Sequence, residues 1–222
     1  MFAAMRCLVT AGPTYEPLDK VRRLTNFSTG RLGSELGAFL VAKGHEVALL
    51  LGEQATYAGR RNADRVETFT TTANLREQLC GWRDKNVEAI FHAAAVSDFA
   101  FGKVWLRSPD GELTEVNSGK LSTRQGTLLA ELIPAPKIIA ELRDWFPRAR
   151  LIGWKFDVEG KRESVIEAAE KQIAECRADA CVANGPAYGD GFGLVRNGAK
   201  HQHLPNKSAL FEELERFLCT EH

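Results

Sequence analysis

An α/β architecture with a doubly wound, mostly parallel sheet is the fold class this sequence predicts, and three observations carry that prediction. Short apolar runs alternate with segments whose apolar residues return every three to four positions, which is the rhythm of parallel sheets covered by helices. The first apolar run passes through a polar loop into a helix start rich in glycine, at Gly30, Gly33 and Gly37. The rhythm breaks once, between about residues 103 and 126, where a hairpin pattern and a polar segment predict a flap projecting from the sheet.

Composition bounds the function. The chain has 222 residues, of which 44% are hydrophobic, which supports a real core; one α/β domain is the natural reading of that length, with two small ones as the alternative. Its 29 basic and 29 acidic residues cancel, so no global field recruits nucleic acid or a membrane surface. No apolar run approaches the roughly 18 residues a membrane-spanning helix needs. The stretch Met1 to Arg6 is too short for a signal peptide. The five cysteines include no C-x-x-C pair, and Cys7 and Cys181 fall inside apolar strand patterns. Reduced thiols of that kind point to the cytoplasm.

The first strand is Arg6 to Ala11, broken by Gly12-Pro13. The loop from Tyr15 to Thr25 shows neither helical nor strand period. It carries Glu16, Asp19, Arg22, Arg23 and Asn26, a set that suits a solvated surface as well as a functional loop. The helix after Gly30 places Leu32, Leu36, Phe39 and Leu40 on one face, with Gly44 beyond its end. Its first turn offers unpaired N–H groups and the positive end of the dipole, so Ser28, Thr29 and Gly30 read as an anion cradle. A second strand, His45 to Leu51, ends at Gly52-Glu53. Glu53 suits a surface turn better than a ribose contact. A third strand covers Arg65 to Phe69. Thr71 or Thr72 then caps a helix reaching about Lys85.

The fourth strand, Ala89 to Ala94, ends in His92-Ala93-Ala94-Ala95-Val96-Ser97-Asp98. Small residues at a strand's carboxyl end let a flat ligand approach the backbone, and Asp98 reads either as a turn cap or as an acceptor for that ligand. His92 reads as a packed strand residue. Residues 103–107 and 112–116 predict a hairpin around Asp110-Gly111, followed by a polar flap at 117–126. Another strand covers Leu128 to Ile133, and a helix begins at Pro136 and buries Ile138, Ile139 and Leu142. Strands at Leu151 to Phe156 and Ala180 to Asn184 flank a helix from about Arg162 to Cys176. A terminal hairpin around Asn197-Gly198 and a helix from Ser208 to Leu218 close the chain. The predicted order of the six main strands is the Rossmann-like 3-2-1-4-5-6.

The segment TAGPTYEPLDKVRRLTNFSTGRLG resembles the opening motif of the phosphopantothenoylcysteine synthetases, the phosphopantothenate–cysteine ligases of coenzyme A biosynthesis. That motif reads T-A-G-x-T-x-E-x-[IL]-D-x-V-R-x-[IL]-[ST]-N-x-S-[ST]-G-x-[ML]-G, and every fixed position is met. The strand end at 92–99 is similar to the family's A-A-A-V-[AS]-D-[FY]. The resemblance implies a ligase that activates 4′-phosphopantothenate with CTP and Mg²⁺ and then joins it to L-cysteine, with ATP as an alternative nucleotide. It implies Asn26 and Lys120 as catalytic residues. Gly12, His92, Ala93, Ala94, Asp98, Lys120, Pro136, Lys137, Ile138, Ile139 and Trp154 would line the nucleotide. Asn26, Ser28, Thr29 and Gly30 would hold the phosphate or acyl group. It also implies a homodimer, and a stand-alone form without the flavin decarboxylase that bacterial relatives carry in front. Two departures stand out. Ser122 and Thr123 replace later flap lysines, leaving Arg124 as a substitute cation, and Gly185 replaces the usual acid after Ala183-Asn184. The metal ligands stay open.

Two other function classes compete. A short-chain NAD(P) oxidoreductase needs a tyrosine with a lysine four residues on, but Tyr15, Tyr57 and Tyr188 are followed at that distance by Asp19, Arg61 and Phe192. A nucleotide-sensing domain without catalysis has no need of Asn26 or Lys120.

Overall fold

The computed structural model describes residues 4–59, 61–122 and 126–219. The chain opens with β1 (Arg6–Ala11) and then makes a small antiparallel hairpin, β2 (Tyr15–Pro17) with β3 (Arg23–Thr25). The sequence predicts a structureless loop here, because three-residue strands are too short to show a period of two. Tertiary hydrogen bonds fix the hairpin instead: Tyr15 N donates to Thr70 O at 3.1 Å and Thr25 Oγ1 to Thr14 O at 2.9 Å.

Helix α1 (Arg31–Ala42) buries Leu36, Gly37 and Leu40 against the sheet, and β4 (Glu46–Gly52) and β5 (Arg65–Phe69) follow. Helix α2 (Thr72–Gly81) is capped by Thr71, whose Oγ1 accepts from Asn74 N at 3.1 Å. It ends at Gly81 rather than near Lys85, because Trp82 N and Arg83 N turn back onto Leu79 O and Cys80 O. Strand β6 (Ala89–His92) is two residues shorter than the apolar run suggests. Next come β7 (Phe99–Arg107), β8 (Leu113–Glu115), β9 (Thr127–Pro134), α3 (Ile138–Trp145), β10 (Arg150–Phe156), α4 (Arg162–Cys176) and β11 (Ala180–Asn184). The hairpin β12 (Phe192–Arg196) with β13 (Gln202–Leu204) and helix α5 (Lys207–Cys219) complete the described chain.

The main sheet has eight strands in the order β13-β12-β11-β10-β6-β1-β4-β5. Its six parallel members follow the predicted 3-2-1-4-5-6 order, and β12 and β13 add an antiparallel edge. Successive side chains of a strand point to opposite faces, so each run feeds two cores. Leu8, Leu50 and Ile90 pack with Leu75 and Leu79 of α2, Leu142 of α3 and Val165 and Ile173 of α4. Cys7, Val9, Leu49 and Phe91 pack with Leu36 and Leu40 of α1 and Leu210 and Leu214 of α5. Both faces of the central strands β1, β4 and β6 are covered, which is why their sequences are almost continuously apolar, whereas the edge strand β5 is largely exposed and carries Arg65, Glu67 and Thr68.

The projection is a three-stranded antiparallel sheet, β8-β7-β9. The sequence predicts Val104 and Leu106 as an exposed pair on this arm. Val104 is instead buried and Leu106 half-buried, because β8 and β9 flank β7 and β2 packs beside it. The large apolar side chains left exposed are Phe99, Leu113, Leu129, Leu132 and Ile133. Among the described residues no helix is long and apolar enough to cross a membrane.

Candidate functional site

The site lies at the carboxyl ends of β1 and β6, the adjacent central strands between which the strand order reverses. Open α/β sheets bind ligands at that switch point. The loops leaving the two strands are joined backbone to backbone: Ala95 N donates to Gly12 O at 3.0 Å, and Thr14 N to Ala95 O at 3.1 Å. Gly12 holds φ +83°, and a Cβ there would lie 2.9 Å from the Ala55 methyl. Gly30, just before α1, holds φ +77° and meets the same methyl at the same distance. A Cβ at Gly33 would lie 2.6 Å from that of Ala11, so α1 can back onto β1 only through glycine.

In front of this helix start is a cavity of about 220 Å³ lined by Ser28, Thr29, Gly30, Arg31, Gly33 and Ala93, with Lys207 reaching in from the first turn of α5. Sequence reasoning missed Lys207. It belongs to the last helix, and no local pattern ties it to the glycines near residue 30. Its ammonium pairs with Glu35, which also accepts from Arg31 Nε at 2.7 Å and Tyr57 Oη at 3.3 Å. Burial opposes ionisation of Glu35, but the bonds from Lys207 and Arg31 outweigh it and hold the carboxyl below its usual range.

Asn26 leaves β3 and directs Nδ2 at Ala95 O, 3.2 Å, and Val96 O, 3.4 Å. That choice of amide orientation follows from the two carbonyls it faces. It leaves Oδ1 as the acceptor on the open side. His92 is buried beneath the same loop. Its Nδ1 lies 3.0 Å from Thr10 Oγ1, which also accepts from Ala94 N at 3.1 Å. Burial pushes the imidazole down to about 4, so it is neutral at pH 7, and through Thr10 it buttresses the Ala94 backbone. Asp98 is exposed, and its carbonyl accepts from Ala135 N at 2.9 Å. That bond brings the Pro134–Pro136 turn to the strand end.

The remaining predicted residues divide. Pro136 is exposed, and Lys137, also exposed, pairs with Glu175 at 3.5 Å. Ile138 is buried in the core under α3 and Ile139 is partly buried against it, so what Ile138 can offer a ligand is a backbone N–H in the first turn. Trp154 is half-buried with no hydrogen-bond partner on its buried Nε1, and Oδ1 of Asn184 on the next strand is equally orphaned. Lys120 is exposed on the segment after β8 and makes no hydrogen bond to Asn26 among the described residues. Arg124 lies outside the described residues.

The model for the DNA/pantothenate metabolism flavoprotein C-terminal domain matches residues 2–213. The chain belongs to that family. A bifunctional coenzyme A biosynthesis protein, CoaBC, of Thermococcus kodakarensis is 33% identical over 180 residues, which cover 81% of this chain and 41% of that protein. The chain thus spans less than half the length of that relative. A DNA/pantothenate metabolism flavoprotein from Streptococcus pneumoniae shares the fold at a TM-score of 0.80 and 25% identity, covering 97% of this chain and 98% of that one. The C-terminal domain of a CoaBC protein does so at 0.72 and 24% identity, covering 98% and 95%.

In this member of the family, part of the motif loop serves structure. Glu16 Oε1 accepts from Thr72 N at 3.0 Å at the start of α2, and Thr14 Oγ1 accepts from Ser97 N at 2.9 Å. Both side chains are buried, so the T-x-E of the motif faces the protein and not a ligand. Glu53 is exposed and pairs with Arg23 at 3.6 Å, as a surface turn acid does. Gly185 holds φ +112°, and a Cβ there would lie 2.4 Å from Asp157 O, so this backbone has no room for the acid that the motif resemblance would place there. Among the described residues no group of three or more His, Cys, Asp or Glu could hold a metal.

Proposed function

We propose that the chain is a phosphopantothenate–cysteine ligase that uses a nucleoside triphosphate, with CTP favoured over ATP. The observation that carries the reading is the convergence of the motif's Asn26 with the Ala95–Val96 backbone beside the glycine-bounded start of α1. A carboxylate is a poor electrophile, so a phosphoanhydride must activate it. In the first half-reaction a carboxylate oxygen of 4′-phosphopantothenate attacks the α-phosphorus and pyrophosphate leaves. In the second the cysteine amine attacks the acyl carbon, CMP departs and a proton is lost. The protein mainly positions these groups and offsets charge.

The first turn of α1, Ser28, Thr29 and Lys207 form the anion cradle. Lys120 supplies a cation for the departing pyrophosphate. Asn26 offers Oδ1 to the amine N–H while its Nδ2 is held by the strand-end carbonyls. The orphaned Trp154 Nε1 and Asn184 Oδ1 are a donor and an acceptor whose unpaired burial costs about 1–3 kcal/mol each, a cost that a nucleotide contacting them would remove. Mg²⁺ is bound through one or two carboxylates plus phosphates in such sites, and the open carboxylate of Asp98 is the candidate here. When bound it neutralises phosphate charge. A cytoplasmic homodimer completes the reading.

The test is pyrophosphate release from CTP and from ATP, side by side, with 4′-phosphopantothenate and Mg²⁺, followed by CMP or AMP release on adding L-cysteine. CTP-dependent release and amide formation are expected. No release with either nucleotide overturns the reading.

A further inference from the structure

The tip of the β2–β3 hairpin grips the segment that carries Lys120. Asp19 sits there with its side chain fully shielded from solvent. Its Oδ1 accepts from Val21 N at 2.8 Å and Arg22 N at 2.7 Å, which closes the tip. Its Oδ2 accepts from Arg22 Nε at 3.0 Å, Arg22 Nη2 at 2.6 Å and, across the fold, Leu121 N at 3.1 Å. The same Arg22 Nη2 donates to Leu121 O at 2.6 Å. On the other side of Lys120, Lys20 N donates to Gly119 O at 3.1 Å. Leu121 is buried. Lys120 itself stays exposed, so both its neighbours are pinned while its side chain is left outside.

Burial opposes the charge on Asp19, but the bonds from Leu121, Val21 and Arg22 outweigh it and hold the carboxyl well below the usual carboxylate range. An ionised, acceptor-only group is what five donors require. The hairpin that bears this grip runs directly through β3 into Asn26.

We propose that Asp19 is a positioning residue: with Arg22 it latches Gly119–Leu121 to the hairpin, so that Lys120 and Asn26 are held by one rigid piece. This rests on the ligase reading for its consequence, though not for its geometry. The latch adds no contact to substrate. It lowers the number of conformations Lys120 must lose before it meets the leaving pyrophosphate.

Asp19→Asn is the informative variant, because it keeps the shape and replaces Oδ2 by an NH₂ that faces three donors. Hydrogen exchange of residues 117–122 in the folded variant should rise at least about tenfold, while exchange in α4 and β10 stays as in the parent. Pyrophosphate release should fall about tenfold in kcat with KM for phosphopantothenate within about twofold. In a Lys120→Gln background the same change should cost less than about twofold, since its target is gone. Unchanged exchange at Leu121, or an equal kcat loss in both backgrounds, overturns the proposal. Should Asp19→Asn fail to fold by circular dichroism, Arg22→Lys replaces it, removing the bond to Leu121 O with the carboxylate kept, and is judged by the same readings. If the parent releases no pyrophosphate, the ligase reading fails, and the exchange result alone decides whether the latch exists.

Discussion

In the proposed ligase, Asn26 and Lys120 would divide the two half-reactions by charge. A neutral amide can accept from the cysteine amine without adding charge, while an ammonium offsets the charge that builds on departing pyrophosphate. Asn26→Asp sets an anion beside an anionic intermediate. Quenched-flow analysis should show the cysteine step slowed by about 10²-fold or more, with the acyl-nucleotide accumulating. Lys120→Gln should instead suppress pyrophosphate release itself, and normal rates of both steps in both variants would remove these two residues from the mechanism. His92 illustrates a residue whose burial matters more than its chemistry. Its folded value of about 4 lies below the ordinary 6.5, so the unfolded chain binds the proton more readily. Stability from this group is complete above about pH 6.5 and falls as pH drops towards about 4, by up to the order of 3 kcal/mol. Urea unfolding across that window should show a smaller decline in His92→Gln. An equal decline would mean that other groups carry it.

At the scale of elements, backbone contacts decide what the side chains can do. Helix α1 reaches β1 only because Gly33 lacks a Cβ, and the loop after β1 passes α1 only because Gly12 and Gly30 adopt positive φ. The turn after β11 obeys the same rule. Asp157 N donates to Asn184 O at 3.2 Å and Ala187 N to Asp157 O at 3.1 Å, which stitches the ends of β10 and β11 together around Gly185. Gly185→Asp, which introduces the acid of the motif resemblance, should therefore destabilise the protein by about 1–3 kcal/mol through left-handed strain, with the clash at Asp157 O adding to it. In a chain of this size each kcal/mol lowers Tm by about 2–4 °C, so calorimetry should register a drop of several degrees. An unchanged Tm would show that the turn can relax. The glycines and the strand order were legible in the sequence, because both follow from local pattern. The β2–β3 hairpin was not, since its three-residue strands are too short to show a period of two and the bonds that fix it to the fold run to Thr70 and Gly119, far along the chain.

For the whole molecule, the distribution of exposed apolar surface favours a second copy. Leu113, Leu129, Leu132 and Ile133 lie on the projecting sheet, and Val21, Leu24 and Phe27 flank the hairpin and its exit. Apolar surface grouped in this way usually marks an interface. Light scattering at micromolar concentration should give the mass of a homodimer. Leu132→Lys with Ile133→Lys should shift it to the monomer without unfolding the main sheet, which the arm does not join. A monomeric parent would refute the assembly.

What the sequence determined by itself was everything written in short range. The alternation of apolar runs and amphipathic segments specified six parallel strands in the order found, the glycine-rich start of α1 suggested the anion cradle that the proposed function uses, and the motif through Asn26 pointed to a ligase. Only the tertiary structure decided which polar residues stay open at the strand ends and which hold the protein together. Glu16 and Thr14 are spent on the start of α2 and on Ser97, and Asp19 on Leu121. Lys207 reaches the cavity at the start of α1 from the far end of the chain. The physical reason is common to all four: a polar side chain looks the same in sequence whether its partner is a solute or a backbone N–H many residues away, and only the fold brings that partner within hydrogen-bonding distance.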